Sequence, residues 1–228
     1  MADMQNESTN SHNNKLIRSF GRIKSRKLSD NKNRLLDELY PRYSFNKEHL
    51  PKTELCLEIG FGFGDFLFEK TKNNPQQFFI GCEPHINGIV NLLAKLEKEP
   101  LANLNLFKDD VRILLDSLDD HSLSEVYILF PDPWPKLKHF KRRLINEEFL
   151  NLLSKKIKPQ GKLIIATDHD SYKTWILSVI SDNKNFSWLA NSKKDWQIFP
   201  DWWITTKYQK KAAQEGRQSV IFNLINHD

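Results

Sequence analysis

Leu55-Cys56-Leu57-Glu58-Ile59-Gly60-Phe61-Gly62-Phe63-Gly64 is the stretch that decides the fold. A run of apolar residues, interrupted by one acid, leads straight into glycines spaced G-x-G-x-G. A short apolar run closed by glycines reads as a buried strand, and the glycines let the backbone turn sharply and a ligand come close to it. Residues 64 to 73, which carry Phe66, Leu67 and Phe68, suit a helix. Strand, glycine turn and helix together make the opening unit of an α/β fold.

The same alternation continues downstream. Phe78-Phe79-Ile80-Gly81-Cys82 is a second strand and stops at Glu83. Residues 85 to 98 form an amphipathic helix with Ile86, Ile89, Val90, Leu93 and Leu96 at helical spacing. A third strand covers Leu104 to Phe107, a short helix 111 to 118, and a fourth strand 125 to 130. A helix near 146 to 156 follows, then Gly161 opens a fifth strand over Lys162 to Thr167, and 171 to 181 look helical. Such alternation predicts a Rossmann-like α/β fold, a mostly parallel sheet with helices on both faces. The segments Phe186 to Leu189 and Ser219 to Ile225 are strand-like with no clear helical pattern between them. They suit a terminal antiparallel strand.

The N-terminal part differs in character. Residues 1 to 14 are polar and too poor in apolar groups to order themselves. From Lys15 to Arg34 the chain is basic, an arm that orders on a partner. A short helix follows with Leu35, Leu36 and Leu39 as its apolar face, ending before Tyr40-Pro41. The expected division is an arm over 1–34 and a single domain over 35–228.

Of the 228 residues, 39% are hydrophobic and 15 are Phe, enough for a full core, and the net charge of +5 tilts the reading towards a nucleic-acid partner. Cys56 and Cys82 lie in strand-like runs and read as buried thiols of a reducing compartment. The histidines show no ligand spacing, so no metal is expected. No apolar run is long enough to span a bilayer and the N-terminus lacks an apolar signal core, which predicts a cytoplasmic protein without a membrane partner.

Acids mark the strand ends. Glu58 stands just before the glycines, Glu83 ends the second strand, Asp110 follows the third and Asp132 the fourth. All fall on the sheet edge where such folds bind ligands. A carboxylate at Glu58 would repel a pyrophosphate and favour a cation. S-adenosyl-L-methionine carries an ammonium and a sulfonium, so it suits this set, with Glu83 placed for ribose hydroxyls and Asp110 for an adenine amino group. The bland reading of any one acid is a helix N-cap, and Asp110 is the acid it suits best.

After the fourth strand comes Phe130-Pro131-Asp132-Pro133-Trp134-Pro135-Lys136-Leu137-Lys138-His139-Phe140-Lys141-Arg142-Arg143. Prolines stiffen the turn around Asp132, and the cations that follow point to a polyanionic substrate.

Taken with Ala166-Thr167-Asp168 and Thr206-Lys207-Tyr208, these motifs resemble the bacterial tRNA (guanine-N7)-methyltransferase family from about Ile17 to the C-terminus. The Phe-Pro-Asp-Pro-Trp-x-Lys run is highly specific, whereas many methyltransferases share the glycine loop. The resemblance implies a class I S-adenosylmethionine-dependent fold and methylation of tRNA guanine 46 in the variable loop. It implies that Glu58, Gly60, Gly62, Glu83, Asp110 and Asp132 hold the cofactor, with Asp132 catalytic. Lys136, Asp168, Thr206, Lys207, Tyr208 and Gln209 are then substrate contacts, and Lys138, His139, Phe140, Lys141, Arg142 and Arg143 an RNA-binding segment. Two departures stand out: Gln209 replaces the usual Glu, and Lys138 stands where Arg is more common. Alternatives are a methyltransferase for another RNA or a small molecule, a non-catalytic RNA-binding protein, and a nicotinamide oxidoreductase. The glycine spacing and Glu58 oppose the last. The oligomeric state stays open between monomer and homodimer.

Overall fold

Period-two alternation in β1 (Leu55–Ile59) sets the layers of the molecule. Leu55, Leu57 and Ile59 pack into one buried cluster, and Cys56 into another on the opposite face of the sheet. Every residue of β1 is buried, which places this strand at the centre of the sheet. The structure is a computed structural model and describes residues 28–228. The basic residues expected from Lys15 to Lys27 lie outside that range.

The chain begins with a helical stretch, α1 (Asp30–Arg34), a π-helical turn (Leu35–Leu39) and α2 (Tyr40–Tyr43). Two expectations shift here. The end of the supposed arm is already helical, with Arg34 paired to Glu38 and Glu97. The helical stretch also runs past Pro41, which falls in the first turn of α2 directly after the π-helical turn.

Then come α3 (Asp65–Asn73), β2 (Phe78–Cys82), α4 (Ile86–Lys98), β3 (Leu104–Phe107), α5 (Val111–Ser117), β4 (Leu123–Leu129), α6 (Glu147–Lys156), β5 (Ile157–Thr167), α7 (Asp170–Asp182), β6 (Phe186–Trp188), α8 (Lys194–Gln197), α9 (Lys207–Gln214) and β7 (Val220–Asn226). The sheet has seven strands in the order β3-β2-β1-β4-β5-β7-β6. β1 pairs in parallel with both β2 and β4, β4 with β5 in parallel, and β7 antiparallel with both β5 and β6. The mostly parallel sheet with an antiparallel strand near its end matches the sequence reading. β5 starts at Ile157, earlier than Gly161 suggested, with a register irregularity where it pairs with β4. Helices α8 and α9 were not anticipated.

Helices cover both faces. Leu114 and Leu115 of α5, Leu150 and Leu153 of α6 and Ile176 of α7 share one cluster with Leu57 and Ile80. Ile89, Leu92, Leu93 and Leu96 of α4 share the other with Leu35 and Phe79. A fully buried leucine of this kind contributes about 1.5–3 kcal/mol. The chain turns from β1 outward to β2 on one side and β4 on the other. The crevice at this reversal is where open α/β sheets take their ligands.

Candidate active site

A cavity of about 920 Å³ opens at that crevice, within the range of small-molecule sites. Gly60, Gly62, Glu83, Asp110, Asp132 and Trp134 are among its walls. The turn after β1 carries the backbone into the left-handed region at Gly60, Gly62 and Gly64. Gly62 shows why this matters: its φ is 54°, and a Cβ there would also meet the Tyr208 ring at 3.2 Å. Glu83 fastens the turn. Its carboxylate accepts from the Gly62 N–H at 2.8 Å and from the His85 N–H at 2.8 Å. Burial raises its pKa, against the pull of those two amides. Gly88 in the first turn of α4 leaves room for the arrangement, since a Cβ there would lie 2.5 Å from Gly62 O and 2.7 Å from the Glu83 Cγ.

Glu58 is wholly buried, and its Oε2 has no hydrogen-bond partner among the described residues. Burial, then the charges of Glu83 and Asp65, push its pKa up to about 8. It does not line the main cavity but a small adjoining recess, shared with Gly60, Phe63, Asp65, Lys207 and Tyr208. Asp110 does line the main cavity and also takes the bland role: it caps α5 through Arg112 N at 2.9 Å and holds the Arg112 guanidinium at 2.6 Å. Burial works against its charge, but the bonds from Arg112 outweigh that and keep its pKa below the ordinary value.

The turn after β4 is strained on both flanks. Phe130 (φ 54°) and Trp134 (φ 43°) are bulky residues in the left-handed region, which costs on the order of 1–3 kcal/mol each. Between them Asp132 is exposed at the cavity wall. A 3-10 turn (Leu137–Arg142) follows. Lys136, Lys138 and Lys141 are exposed on it or beside it, His139 and Phe140 are half-buried, and the Arg142 guanidinium lies 4.9 Å from the Trp134 ring centre. Arg143, expected in the same RNA-binding segment, is placed differently from its neighbours. It is 2% exposed and its guanidinium is used inside the protein.

The remaining expected substrate residues sit just after β5 and at the start of α9. Asp168 is ion-paired with Arg217, which also holds Glu215. Thr206 caps α9, accepting from the Gln209 N–H at 3.1 Å. The Gln209 Oε1 accepts from the Trp203 indole N–H at 2.6 Å, so its side chain faces the protein. Tyr208 reaches both cavities, and Lys207 Nζ lies 4.6 Å from the Phe63 ring centre. Trp203 packs against Phe66 and Phe199.

The family model described as "Putative methyltransferase" matches residues 52–222. The tRNA (guanine-N(7)-)-methyltransferase of Wolbachia pipientis wMel is 39% identical over 95% of this chain and 98% of its own. That of Agrobacterium fabrum is 36% identical over 90% of this chain and 94% of its own. This chain belongs to the tRNA (guanine-N7)-methyltransferase family. The fold agrees: an antibiotic-related methyltransferase of known structure superposes with a TM-score of 0.51 at 18% identity, covering 90% of this chain and 98% of that one.

Members of this family are class I methyltransferases, and that fold implies S-adenosyl-L-methionine as methyl donor. The residues present fit it. Glu83, Asp110 and Asp132 are among the cavity walls, the buried Glu58 has no partner at Oε2 among the described residues, and the space beside Gly60 is open where a side chain would project. The sequence reading missed Phe63 and His85, which also line the cavity. Their signal was position alone, inside the glycine turn and two residues past a strand-end acid.

Proposed function

We propose that this protein transfers the methyl group of S-adenosyl-L-methionine to N7 of a tRNA guanine, guanine 46 of the variable loop. One observation carries the reading beyond family membership: Asp132, in a strained turn, lines a cavity that holds Glu83 and Asp110 and reaches Lys141 and Arg142 of the basic turn. The donor, when bound, supplies an electrophilic methyl group on a sulfonium. Glu83 and the glycine turn would hold its ribose side, Asp110 its adenine side, and Glu58 its cationic end.

Guanine N7 is a lone-pair acceptor in the neutral base, so the chain needs no strong general base. Its task is alignment, together with a field that tolerates positive charge on the purine. Asp132 supplies the negative charge of that field. Lys136, Lys138, His139, Phe140, Lys141 and Arg142 would meet the tRNA backbone and its bases. Thr206, Lys207, Tyr208 and Gln209 would meet the substrate from α9, with Tyr208 as the exposed ring on which a base can stack. Asp168 would accept from the guanine N1 and N2 donors once its carboxylate is released by, or shared with, Arg217. The reading places the enzyme in the cytoplasm, and among the described residues no helix is long and apolar enough to cross a membrane.

Nucleoside mass spectrometry on a tRNA transcript incubated with protein and donor tests this. N7-methylguanosine should appear in the transcript with guanine 46 and be absent when that base is adenine. Methylation of a different nucleoside, or of guanine elsewhere in both transcripts, would overturn the assignment.

A further inference from the structure

We propose that Arg143, the last cation of the basic run, positions the Asp132 turn and does not bind tRNA phosphate. The inference rests on Asp132 being the residue on which methyl transfer depends. The guanidinium is almost wholly buried. Its Nε donates to the carbonyl of Pro133, the residue after Asp132, at 2.9 Å. Its other arms donate to Ser171 of α7, Nη1 to the carbonyl at 3.3 Å and Nη2 to Oγ at 3.0 Å. The Ser171 Oγ is itself 3.1 Å from His169 Nδ1, in the segment that leaves β5. One planar fork thus ties the turn after β4 to the helix after β5.

Rings hold that fork in place. The guanidinium carbon lies 3.7 Å from the centre of Phe140, 5.1 Å from Tyr172 and 5.2 Å from Trp175. A desolvated cation among aromatic faces is well held, and a lysine could not reach two elements with fixed, coplanar donors. The turn needs such an anchor. Phe130 and Trp134 sit at positive φ on either side of Asp132, and a turn with strained flanks keeps its shape only if the surroundings impose it. The Asp132 side chain is exposed, so the backbone beside it is where the protein can control its position.

Arg143→Lys keeps the charge and removes the fork. Its affinity for S-adenosylhomocysteine and the salt dependence of its tRNA binding should stay as in wild type. Its single-turnover rate with both substrates saturating should fall by about 10²-fold, the scale of a misplacement near 1 Å. The double variant Arg143→Lys/Asp132→Asn should be no slower than Asp132→Asn alone, because both changes act through one group. A wild-type rate for Arg143→Lys, additive losses in the double variant, or a salt slope lowered by about one unit in the charge-removing Arg143→Ala would each overturn the proposal. If Arg143→Lys does not fold, Ser171→Ala decides: a reduced rate at saturating substrates supports the anchor, and an unchanged rate overturns it. A wild-type rate for Asp132→Asn would instead overturn the functional reading beneath it.

Discussion

The two halves of the crevice are built from different material. At the ends of β1 and β2 the backbone does the work: three glycines at positive φ turn the chain, and the Glu83 carboxylate holds two of the amides there. At the ends of β4 and β5 side chains do it: an arginine fork, aromatic rings and an Asp168–Arg217 pair set the shape. The first half is concave and carries Glu83 and Asp110; the second is basic along Lys136, Lys138 and Lys141, the last of which also lines the cavity. A small cationic nucleoside needs close backbone approach and fixed acids. A large polyanion needs accessible cations around a reactive point. Asp132 belongs to both halves, which is why the largest effect is expected there.

Asp132→Asn preserves the shape of the seam and removes its charge. Single-turnover methylation should fall by about 10²–10³-fold, the usual scale for a preorganised electrostatic contact, with donor and tRNA binding retained. An unchanged rate would make Asp132 a turn residue only.

Glu58 should dominate the pH response of the acidic half. Its folded pKa of about 8 lies above the ordinary 4.5. The stability that comes from burying a neutral carboxyl is therefore complete below about pH 4.5 and is lost as pH rises through about 8. Urea midpoints of the ligand-free protein should fall over that interval, and Glu58→Gln should flatten the fall. Parallel curves for the two proteins would remove Glu58 from the account.

Gly88→Ala should disturb the backbone half alone. The new Cβ meets the Gly62 carbonyl and the Glu83 side chain, an overpacking worth about 1–3 kcal/mol. Calorimetry should show weaker S-adenosylhomocysteine binding, while tRNA binding keeps its salt slope. Lys138→Ala, at an exposed cation outside the cavity lining, should do the reverse, with the smallest effect of the set: a salt slope shallower by about one unit and unaltered S-adenosylhomocysteine affinity. If each change moved both affinities equally, the division into halves would fail.

The acidic half was legible in the sequence because its signals are local. Strand, glycine turn, helix and strand-end acid follow one another in the chain, and Glu83 and Asp110 line the cavity as position alone suggested. The basic half was legible as composition and not as roles. Lys141 and Arg143 are two residues apart in one cationic run, yet one is exposed and the other buried. The difference comes from Pro133, Ser171, Tyr172 and Trp175, contacts between elements that no local pattern shows. Gln209 likewise reads as a substrate contact in its motif but meets Trp203, across a turn too short to carry periodicity. Helices α8 and α9 have four and eight residues, too few for a helical stripe to stand out.

A crystal structure with S-adenosylhomocysteine and a tRNA variable-loop fragment tests the division most directly. The account predicts the ribose hydroxyls within hydrogen-bond distance of Glu83, the sulfur facing the Asp132 side of the cavity, and RNA phosphates against Lys138 and Lys141 with none at Arg143. S-adenosylhomocysteine bound on the β5 side of the turn, or a phosphate bound to the Arg143 guanidinium, would contradict it.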